Sequence, residues 1–178
     1  MKKPYPRSYW VEEKKLLAGF YPGSTNPESE KIRINALLDF GIRTFINLTD
    51  ANEMNSMGIS LRPYHKTLWE LSEDRNIEIT FINIPIIDLE IPNKSTMKAI
   101  LDAIDCSIAA GLPVYIHCWG GIGRTGAVVC CWMLTHGKAT PENVFDVLSG
   151  LRYSQNDPEF HRSSPETEEQ KQFVRDWK

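Results

Sequence analysis

The sequence lacks the features that mark several classes of protein. No apolar run in its 178 residues approaches the roughly 20 residues that a transmembrane helix requires. The basic N-terminus is followed by no apolar stretch, so we expect no secretory signal, a cytoplasmic location and no membrane partner. No internal repeat or low-complexity segment is present, and a hydrophobic fraction of 42% excludes a disordered chain.

An excess of charge of one sign is also lacking. The chain has 20 Lys and Arg residues against 23 Asp and Glu residues, a formal net charge of -3. This balance provides no general attraction to nucleic acid. The length suits a single domain over residues 1–178, and we expect a monomer.

Cysteine is scarce, and its spacing is not that of a metal site. The four cysteines include no Cys-x-x-Cys pair, and the four histidines form no tight cluster, so we predict no metal and no other cofactor. Cys130 and Cys131 lie in an apolar run and Cys106 in an amphipathic stretch, which predicts three small core residues. Cys118 differs from them because of its neighbours.

Hydrophobic periodicity predicts strands that alternate with helices. This pattern is typical of an α/β domain with a central, mostly parallel sheet of about four to five strands flanked by helices. Asn26 is the predicted N-cap of the first helix, with Pro27 in its first turn and Gly41 at its end. The predicted strands are 15–20, 42–48, 77–84 and 114–116, and the later helices are 66–73, 93–110, 123–136, 140–152 and 164–177, with a polar loop over 153–163.

The segment His117-Cys118-Trp119-Gly120-Gly121-Ile122-Gly123-Arg124-Thr125 joins a predicted strand to a predicted helix. Its glycines let successive N–H groups point inward, and a ring of amides at a helix N-terminus binds anions. Arg124 adds a planar fork that matches two phosphate oxygens. Helix N-termini and cations favour the thiolate form of cysteine, so we predict that Cys118 attacks a phosphorus atom held there. An ordinary glycine-rich turn is the structural alternative. We call the loop from Cys118 to Arg124 the phosphate cup.

Extended to Gly126, this segment resembles the signature of the protein tyrosine phosphatase superfamily, in its compact dual-specificity branch. Residues 85–92, Pro-Ile-Ile-Asp-Leu-Glu-Ile-Pro, resemble the acid loop of that family. Residues 166–173 are similar to the glutamine-bearing segment near the end of its tyrosine-specific members. The resemblance spans about residues 15–175. It implies a phosphotyrosine phosphatase-like fold and hydrolysis of phosphoric monoesters.

The resemblance also implies roles for the residues of the cup. Cys118 would form a phosphocysteine intermediate, and Arg124 would bind the phosphoryl group and stabilise its transition state. Thr125 would lie near the sulfur and stabilise the thiolate when the intermediate breaks down. His117 would order the loop by hydrogen bonding. The remaining predicted substrate-binding residues are Trp119, Gly120, Gly121, Ile122 and Gly123, of which Trp119 either lines the pocket wall or packs against the sheet.

The leaving group of such a reaction needs a proton, so a carboxylic acid should lie over the cup. Asp88 lies 30 positions before Cys118, just after a predicted strand, and in the segment that resembles the acid loop. We predict that Asp88 donates this proton and then activates water. Glu90 is the nearest rival, and Asp74 is a more distant one.

Two further segments leave alternatives open. If Gln170 matches the second glutamine of the family motif, Glu166 stands where the water-positioning glutamine should be. The alternative is a surface helix with Ser163 or Ser164 as its N-cap and acidic residues in its first turn. A second segment is the basic and aromatic cluster formed by Arg62, Tyr64, His65 and Lys66, which either docks an anionic substrate or is a solvated loop.

The substrate class follows from what the loops lack. The sequence has no match to the Tyr-containing loop that deepens the pocket of tyrosine-specific relatives, so we expect a shallow pocket. The lysines of phosphoinositide phosphatases are replaced by Trp119 and Ile122, which disfavours lipids. We predict a phosphatase that acts on phosphotyrosine, and on phosphoserine or phosphothreonine, in proteins. The alternatives are a phosphatase of a small phosphoester such as an inositol phosphate or nucleotide, a non-catalytic phosphate-binding module and, more distantly, a rhodanese-like sulfurtransferase.

Overall fold

The structure, a computed structural model, describes residues 2–54, 58–153 and 161–178. Within these ranges the chain forms five strands and six helices. The strands are β1 (Ser8–Glu12), β2 (Leu16–Gly19), β3 (Thr44–Asn47), β4 (Thr80–Asn83) and β5 (Val114–His117). The helices are α1 (Pro27–Asp39), α2 (His65–Asp74), α3 (Lys94–Ala109), α4 (Gly123–Thr135), α5 (Val144–Arg152) and α6 (Glu168–Arg175).

The strands form one sheet in the order β1-β2-β5-β3-β4. Only the pairing of β1 with β2 is antiparallel, which confirms the predicted mostly parallel sheet. Asn47 is in register with both His117 and Asn83, so β3, β4 and β5 end side by side. The loops that follow these three strands therefore meet at one edge of the sheet, where ligands of α/β proteins usually bind.

Side chains that alternate along the strands supply two hydrophobic cores. Leu17, Phe45 and Tyr115 face one side of the sheet, which α1 and α2 cover. The intervening positions face α3, α4 and α5 on the other side. Within α4 every residue from Gly123 to Met133 is buried, so the helix that follows the phosphate cup lies inside the protein.

The predicted start of α1 is confirmed in detail. The Asn26 side chain accepts a hydrogen bond from the Ser29 N–H at 3.0 Å, and Pro27 is the first helical residue. The prediction for the last helix is wrong, because its N-cap is Thr167 rather than Ser163 or Ser164. The Ser164 hydroxyl instead donates to the Ile122 carbonyl at 2.6 Å.

Other elements depart from the sequence pattern. Strand β1 was not predicted, β4 is shorter than the predicted 77–84 segment, and α5 begins at Val144 after a turn rather than at Thr140. Cys130 and Cys131 are fully buried, as predicted, but Cys106 is exposed on α3, so its assignment to the core is wrong. Most of the predicted loop over 153–163 lies outside the described residues. No helix in the described part of the chain is long and apolar enough to cross a membrane.

Candidate active site

The phosphate cup lies between the end of β5 and the first turn of α4. Gly121 has a φ of 70°, and a Cβ added there would lie 2.5 Å from the carbonyl carbon of Gly19 at the end of β2. Only glycine fits this backbone conformation and this close approach. The Tyr21 N–H also donates to the Trp119 carbonyl at 2.9 Å. The shape of the cup is thus fixed by the segment that follows β2.

Cys118 and Arg124 stand at the two ends of the cup. Cys118 is 3% exposed and directly follows the last residue of β5. Arg124 is the second residue of α4, and its side chain is 1% exposed. A strand end and a helix start therefore position both side chains against the sheet edge.

The Arg124 guanidinium is held by carboxylates from two loops. Its Nη1 and Nη2 atoms donate to the two Glu53 carboxylate oxygens at 2.6 and 2.7 Å, and Nη2 also pairs with Asp88 Oδ1 at 2.8 Å. Burial alone would lower the pKa of Arg124, but the Glu53 hydrogen bonds and the nearby charges of Cys118, Glu53 and Asp88 raise it above its usual value. Arg124 is therefore a permanent cation beside the cup.

Glu53 is a site residue that the sequence pattern missed. Its side chain is 8% exposed and forms both oxygen contacts with Arg124 across 71 positions of sequence. It lies in the irregular segment after β3, where no local periodicity distinguishes one acidic residue from another. Its position at the same sheet edge as Asp88 is the only signal that could have indicated it.

Two buried donors of the cup have no hydrogen-bond partner among the described residues. They are Arg124 Nε and the Thr125 hydroxyl. Thr125 therefore makes no hydrogen bond to the Cys118 sulfur, although it is fully buried next to Arg124 in α4. Buried donors are nearly always paired, so two unpaired ones at this site suit a ligand with acceptor oxygens.

Asp88 lies in the loop that resembles an acid loop. Its side chain is 59% exposed, and only its contact with Arg124 draws it toward the cup. Ile86, two positions earlier, anchors the loop, because its N–H donates to the Leu48 carbonyl at 3.0 Å and its side chain is buried. The rivals Glu90 and Asp74 form no ion pair with Arg124 in the described structure.

His117 is buried and holds the cup through hydrogen bonds. Burial lowers its pKa to about 3, so the imidazole is neutral. Its Nδ1 lies 3.2 Å from the Cys118 carbonyl, which can only accept, so Nδ1 carries the proton. Nε2 then accepts a hydrogen bond from the Tyr64 hydroxyl at 2.7 Å. The predicted basic and aromatic cluster is therefore divided, with Tyr64 buried against His117 and Arg62 and Lys66 exposed.

Gln170 connects the acid loop to the cup. It is fully buried, and its Oε1 accepts from the Glu166 and Thr167 N–H groups at 3.0 and 3.2 Å. Its Nε2 donates to the Glu90 carbonyl at 3.1 Å, and a Cβ added at Gly123 would lie 2.9 Å from its Oε1. Both the oxygen and the nitrogen of the Gln170 amide thus make structural contacts, and the Glu166 carboxylate pairs with Arg162.

Trp119 is the aromatic side chain of the cup. Trp119 is 37% exposed, and its ring lies 5.9 Å from that of Tyr21. The Trp119 side chain thus packs against Tyr21 and is partly exposed, and its place in the pocket wall stays a prediction. Among the described residues, no group of three or more His, Cys, Asp or Glu side chains could hold a metal ion.

A family model described as "PTP-SAK: Swiss Army Knife protein, DSP-PTPase phosphatase domain" matches residues 7–174. The chain is 25% identical over 107 residues to human dual specificity protein phosphatase 15, covering 60% of this chain and 36% of that protein. It is 26% identical over 175 residues to a putative tyrosine phosphatase of invertebrate iridescent virus 3, covering 94% of this chain and 63% of that protein. The chain thus spans about a third to three fifths of these relatives.

Solved structures show the same fold. The kinase associated phosphatase superposes with a TM-score of 0.69 at 18% identity, over 96% of this chain and 91% of that chain. PTPMT1 in complex with PI(5)P superposes with a TM-score of 0.68 at 14% identity, over 96% of this chain and 94% of that chain. At such identities the likeness concerns the arrangement of the sheet and its helices.

Proposed function

Because the chain belongs to the PTP-SAK family of DSP-PTPase phosphatase domains, we propose that it is a cysteine-dependent phosphatase. Its substrates are proteins that carry phosphotyrosine. A shallow pocket also admits phosphoserine or phosphothreonine. The observation that carries this proposal is the pair of buried donors without a partner among the described residues, Arg124 Nε and the Thr125 hydroxyl, at the end of the loop that begins with buried Cys118. A phosphoryl group supplies the acceptor oxygens that these donors need.

The reaction has two steps at phosphorus. The Cys118 thiolate forms a bond to phosphorus while the bond from phosphorus to the leaving oxygen breaks, and Asp88 gives that oxygen a proton. Asp88 then takes a proton from water, the oxygen of this water attacks phosphorus, and the bond to sulfur breaks. Phosphate and the Cys118 thiolate are released. Arg124 and the inward amides stabilise the charge that develops on the phosphoryl oxygens in both steps.

Asp88 must leave Arg124 to act as the acid. In the structure, its carboxylate is ion-paired with Nη2 of Arg124. An arriving phosphoryl dianion competes for that guanidinium and repels the carboxylate, which frees the Asp88 side chain to move toward the leaving group. The 59% exposure of the side chain leaves room for this movement.

The nucleophile is tested with para-nitrophenyl phosphate in the absence of added metal. Cys118→Ser should abolish turnover while vanadate, which mimics phosphate, still binds. Cys106→Ser is the matched control, because Cys106 is an exposed cysteine on α3 and should leave turnover unchanged. Turnover that survives Cys118→Ser would falsify the proposed mechanism.

The acid is tested with leaving groups of different basicity. Asp88→Asn should slow phenyl phosphate, a poor leaving group, by about 10²–10⁴-fold and para-nitrophenyl phosphate by much less. Glu90→Gln is the control in the same loop. Equal effects of Asp88→Asn on both substrates would remove Asp88 from the acid role.

The small-phosphoester alternative is addressed by a substrate panel. One structural neighbour, PTPMT1, is in complex with PI(5)P, so inositol phosphates belong in the panel beside phosphopeptides and nucleotides. We expect the highest kcat/KM for phosphotyrosine peptides. A higher kcat/KM for inositol phosphates would replace the proposed protein substrate with a small phosphoester.

A further inference from the structure

Exposed apolar side chains are concentrated around the cup. In the described residues, nine large hydrophobic side chains are exposed, and six of them belong to the segments that form or border the cup. Three lie in the acid loop, at Ile87, Leu89 and Ile91, with exposed fractions of 66%, 53% and 38%. The others are Trp119 in the cup, and Met54 and Ile59 in the segment after β3.

Two of these side chains, Ile87 and Ile59, line clefts next to residues of the phosphate site. Because Arg124 pairs with both Glu53 and Asp88, the acid loop and the segment after β3 meet over its guanidinium. A cleft of about 330 Å³ lies between them and includes Ile87. Beyond Trp119, a second and smaller cleft includes Ile59. We call the group Ile59, Ile87, Leu89, Ile91 and Trp119 the apolar collar.

Leu89 has an unusual backbone conformation for its residue type. Its φ is 64°, in the left-handed region that costs a non-glycine residue roughly 1–2 kcal/mol. The strained residue also holds a half-exposed aliphatic side chain beside Asp88. Both features suit a surface that contacts a substrate.

Charge decides what kind of substrate the collar fits. The cleft beside Ile87 is also lined by Asp50, Glu53 and Asp88, and Glu90 is exposed in the same loop. These carboxylates repel an anionic lipid surface, and among the described residues Arg62 is the one cation that lines either cleft. Docking on anionic membranes instead requires clustered Lys and Arg side chains. The surface favours a peptide with apolar side chains and a positive charge.

We propose that the apolar collar selects protein substrates whose phosphorylated residue is flanked by aliphatic or aromatic residues and by a Lys or Arg, and that it rejects acid-flanked sites. This inference rests on the proposed phosphatase function and names its substrate class. The phosphoryl group occupies the cup, the flanking apolar side chains contact Ile87 and Leu89, and the basic residue reaches Asp50. Acidic flanking residues would meet the carboxylates of the cleft.

Two matched phosphotyrosine peptides test this preference. One carries Leu and Val beside the phosphotyrosine and a terminal Lys, and the other carries Glu at the same positions. We expect kcat/KM to be at least about tenfold higher for the apolar peptide, since each half-exposed aliphatic side chain buried on binding contributes about five- to tenfold. Equal kcat/KM for the two peptides, or a preference for the acidic one, overturns the proposal.

Variants of the collar test whether its side chains cause the preference for the apolar peptide. Ile87→Ser and Leu89→Asn should each reduce the ratio of kcat/KM for the apolar peptide to that for para-nitrophenyl phosphate by about fivefold. Asn tolerates a positive φ, so Leu89→Asn removes the apolar contact without adding backbone strain. Ile32→Ser is the control, because Ile32 is 68% exposed on α1 and should leave the ratio unchanged. An unchanged ratio in both collar variants overturns the proposal.

A lipid substrate tests whether the collar docks on a membrane rather than on a peptide. Phosphatidylinositol phosphate in phosphatidylcholine vesicles should be a poorer substrate than the apolar peptide. Faster hydrolysis in vesicles, reduced by Ile87→Ser, would show membrane docking and overturn the proposal. If para-nitrophenyl phosphate is hydrolysed and Cys118→Ser abolishes it, a failure here concerns the collar alone. If it is not hydrolysed, the proposed function fails first.

Discussion

Glu53→Gln removes one negative charge from the buried ion cluster around Arg124. The substitution preserves the size of the side chain. It places a neutral amide where two carboxylate oxygens accept hydrogen bonds at 2.6 and 2.7 Å. Arg124 keeps Asp88 and the Ile86 carbonyl, which lies 2.9 Å from Nη1. The guanidinium, 1% exposed, therefore loses its most buried counterion.

The magnitude follows from the burial of the pair. Removing one partner of a buried ion pair costs about 3–5 kcal/mol. The remaining contact with Asp88, which is 59% exposed, places the expected loss near the lower end, at about 3 kcal/mol. In a domain of this size, each kcal/mol lowers Tm by about 2–4 °C. We therefore expect Tm to fall by about 6–12 °C.

The assay is thermal unfolding followed by circular dichroism, with and without vanadate. In the wild type, an oxyanion at the cup meets the carboxylates of Glu53 and Asp88. In Glu53→Gln the oxyanion replaces a missing counterion, so saturating vanadate should raise Tm more in the variant than in the wild type. Glu90→Gln is the control, because it removes a nearby exposed carboxylate that has no ion pair with Arg124.

Two results would refute this reasoning. A Tm within about 2 °C of the wild type would mean that Glu53 is not the counterion that stabilises buried Arg124. A vanadate shift of equal size in both proteins would mean that Glu53 and the oxyanion do not compete for the same charge.

Three further predictions use other contacts of the site. Gln170→Met should reduce kcat for phenyl phosphate more than for para-nitrophenyl phosphate, because the acid loop loses its hydrogen bond to the buried amide; equal reductions would show that this bond does not position the acid. Gly121→Ala should lower the free energy of urea unfolding by at least about 2 kcal/mol more than Gly111→Ala. Both glycines have positive φ, but only at Gly121 does a Cβ meet backbone at 2.5 Å, so similar losses would contradict the close approach. The free energy of unfolding should fall as pH decreases from about 6.5 toward 3, because unfolded His117 takes up a proton that the buried imidazole, with its pKa of about 3, does not. The free energy of unfolding should change with pH by up to about 1.4 kcal/mol per pH unit for one proton. Urea unfolding between pH 7 and 5 measures this slope. An unchanged slope in His117→Gln would assign the pH dependence to other groups.

Local signals predicted the parts of the structure that local interactions decide. The side chains of Asn26 and Pro27 are enough to predict the start of α1, and the glycines of the cup are enough to predict its turn. The true start of α6 was also readable, because Thr167 and Gln170 stand three positions apart and form a capping box. The exposure of Cys106 follows from helical spacing, since it falls off the face that Met97, Ile100 and Ile104 bury.

Contacts between distant segments were not readable from the sequence. Strand β1 is an edge strand with an irregular register between Trp10 and Glu12, so its pattern is weak until β2 pairs with it. Glu53 can form its ion pair with Arg124 only when β3 and β5 lie side by side. Gln170 reaches the Glu90 carbonyl across 80 positions. The proposed nucleophile could therefore be predicted from one segment, whereas the contacts that support Arg124 and the acid loop depend on the fold.

The burial of α4 has a consequence for how such a protein changes over generations. Its residues from Gly123 to Met133 are all buried, so a substitution that alters phosphate recognition also disturbs the interior of the molecule. The acid loop carries exposed side chains at Ile87 and Leu89, where replacement leaves the core intact. Substitutions can therefore accumulate in the acid loop while the phosphate cup stays constant. A lineage built on this scaffold would change the surroundings of the cup far more readily than the cup itself.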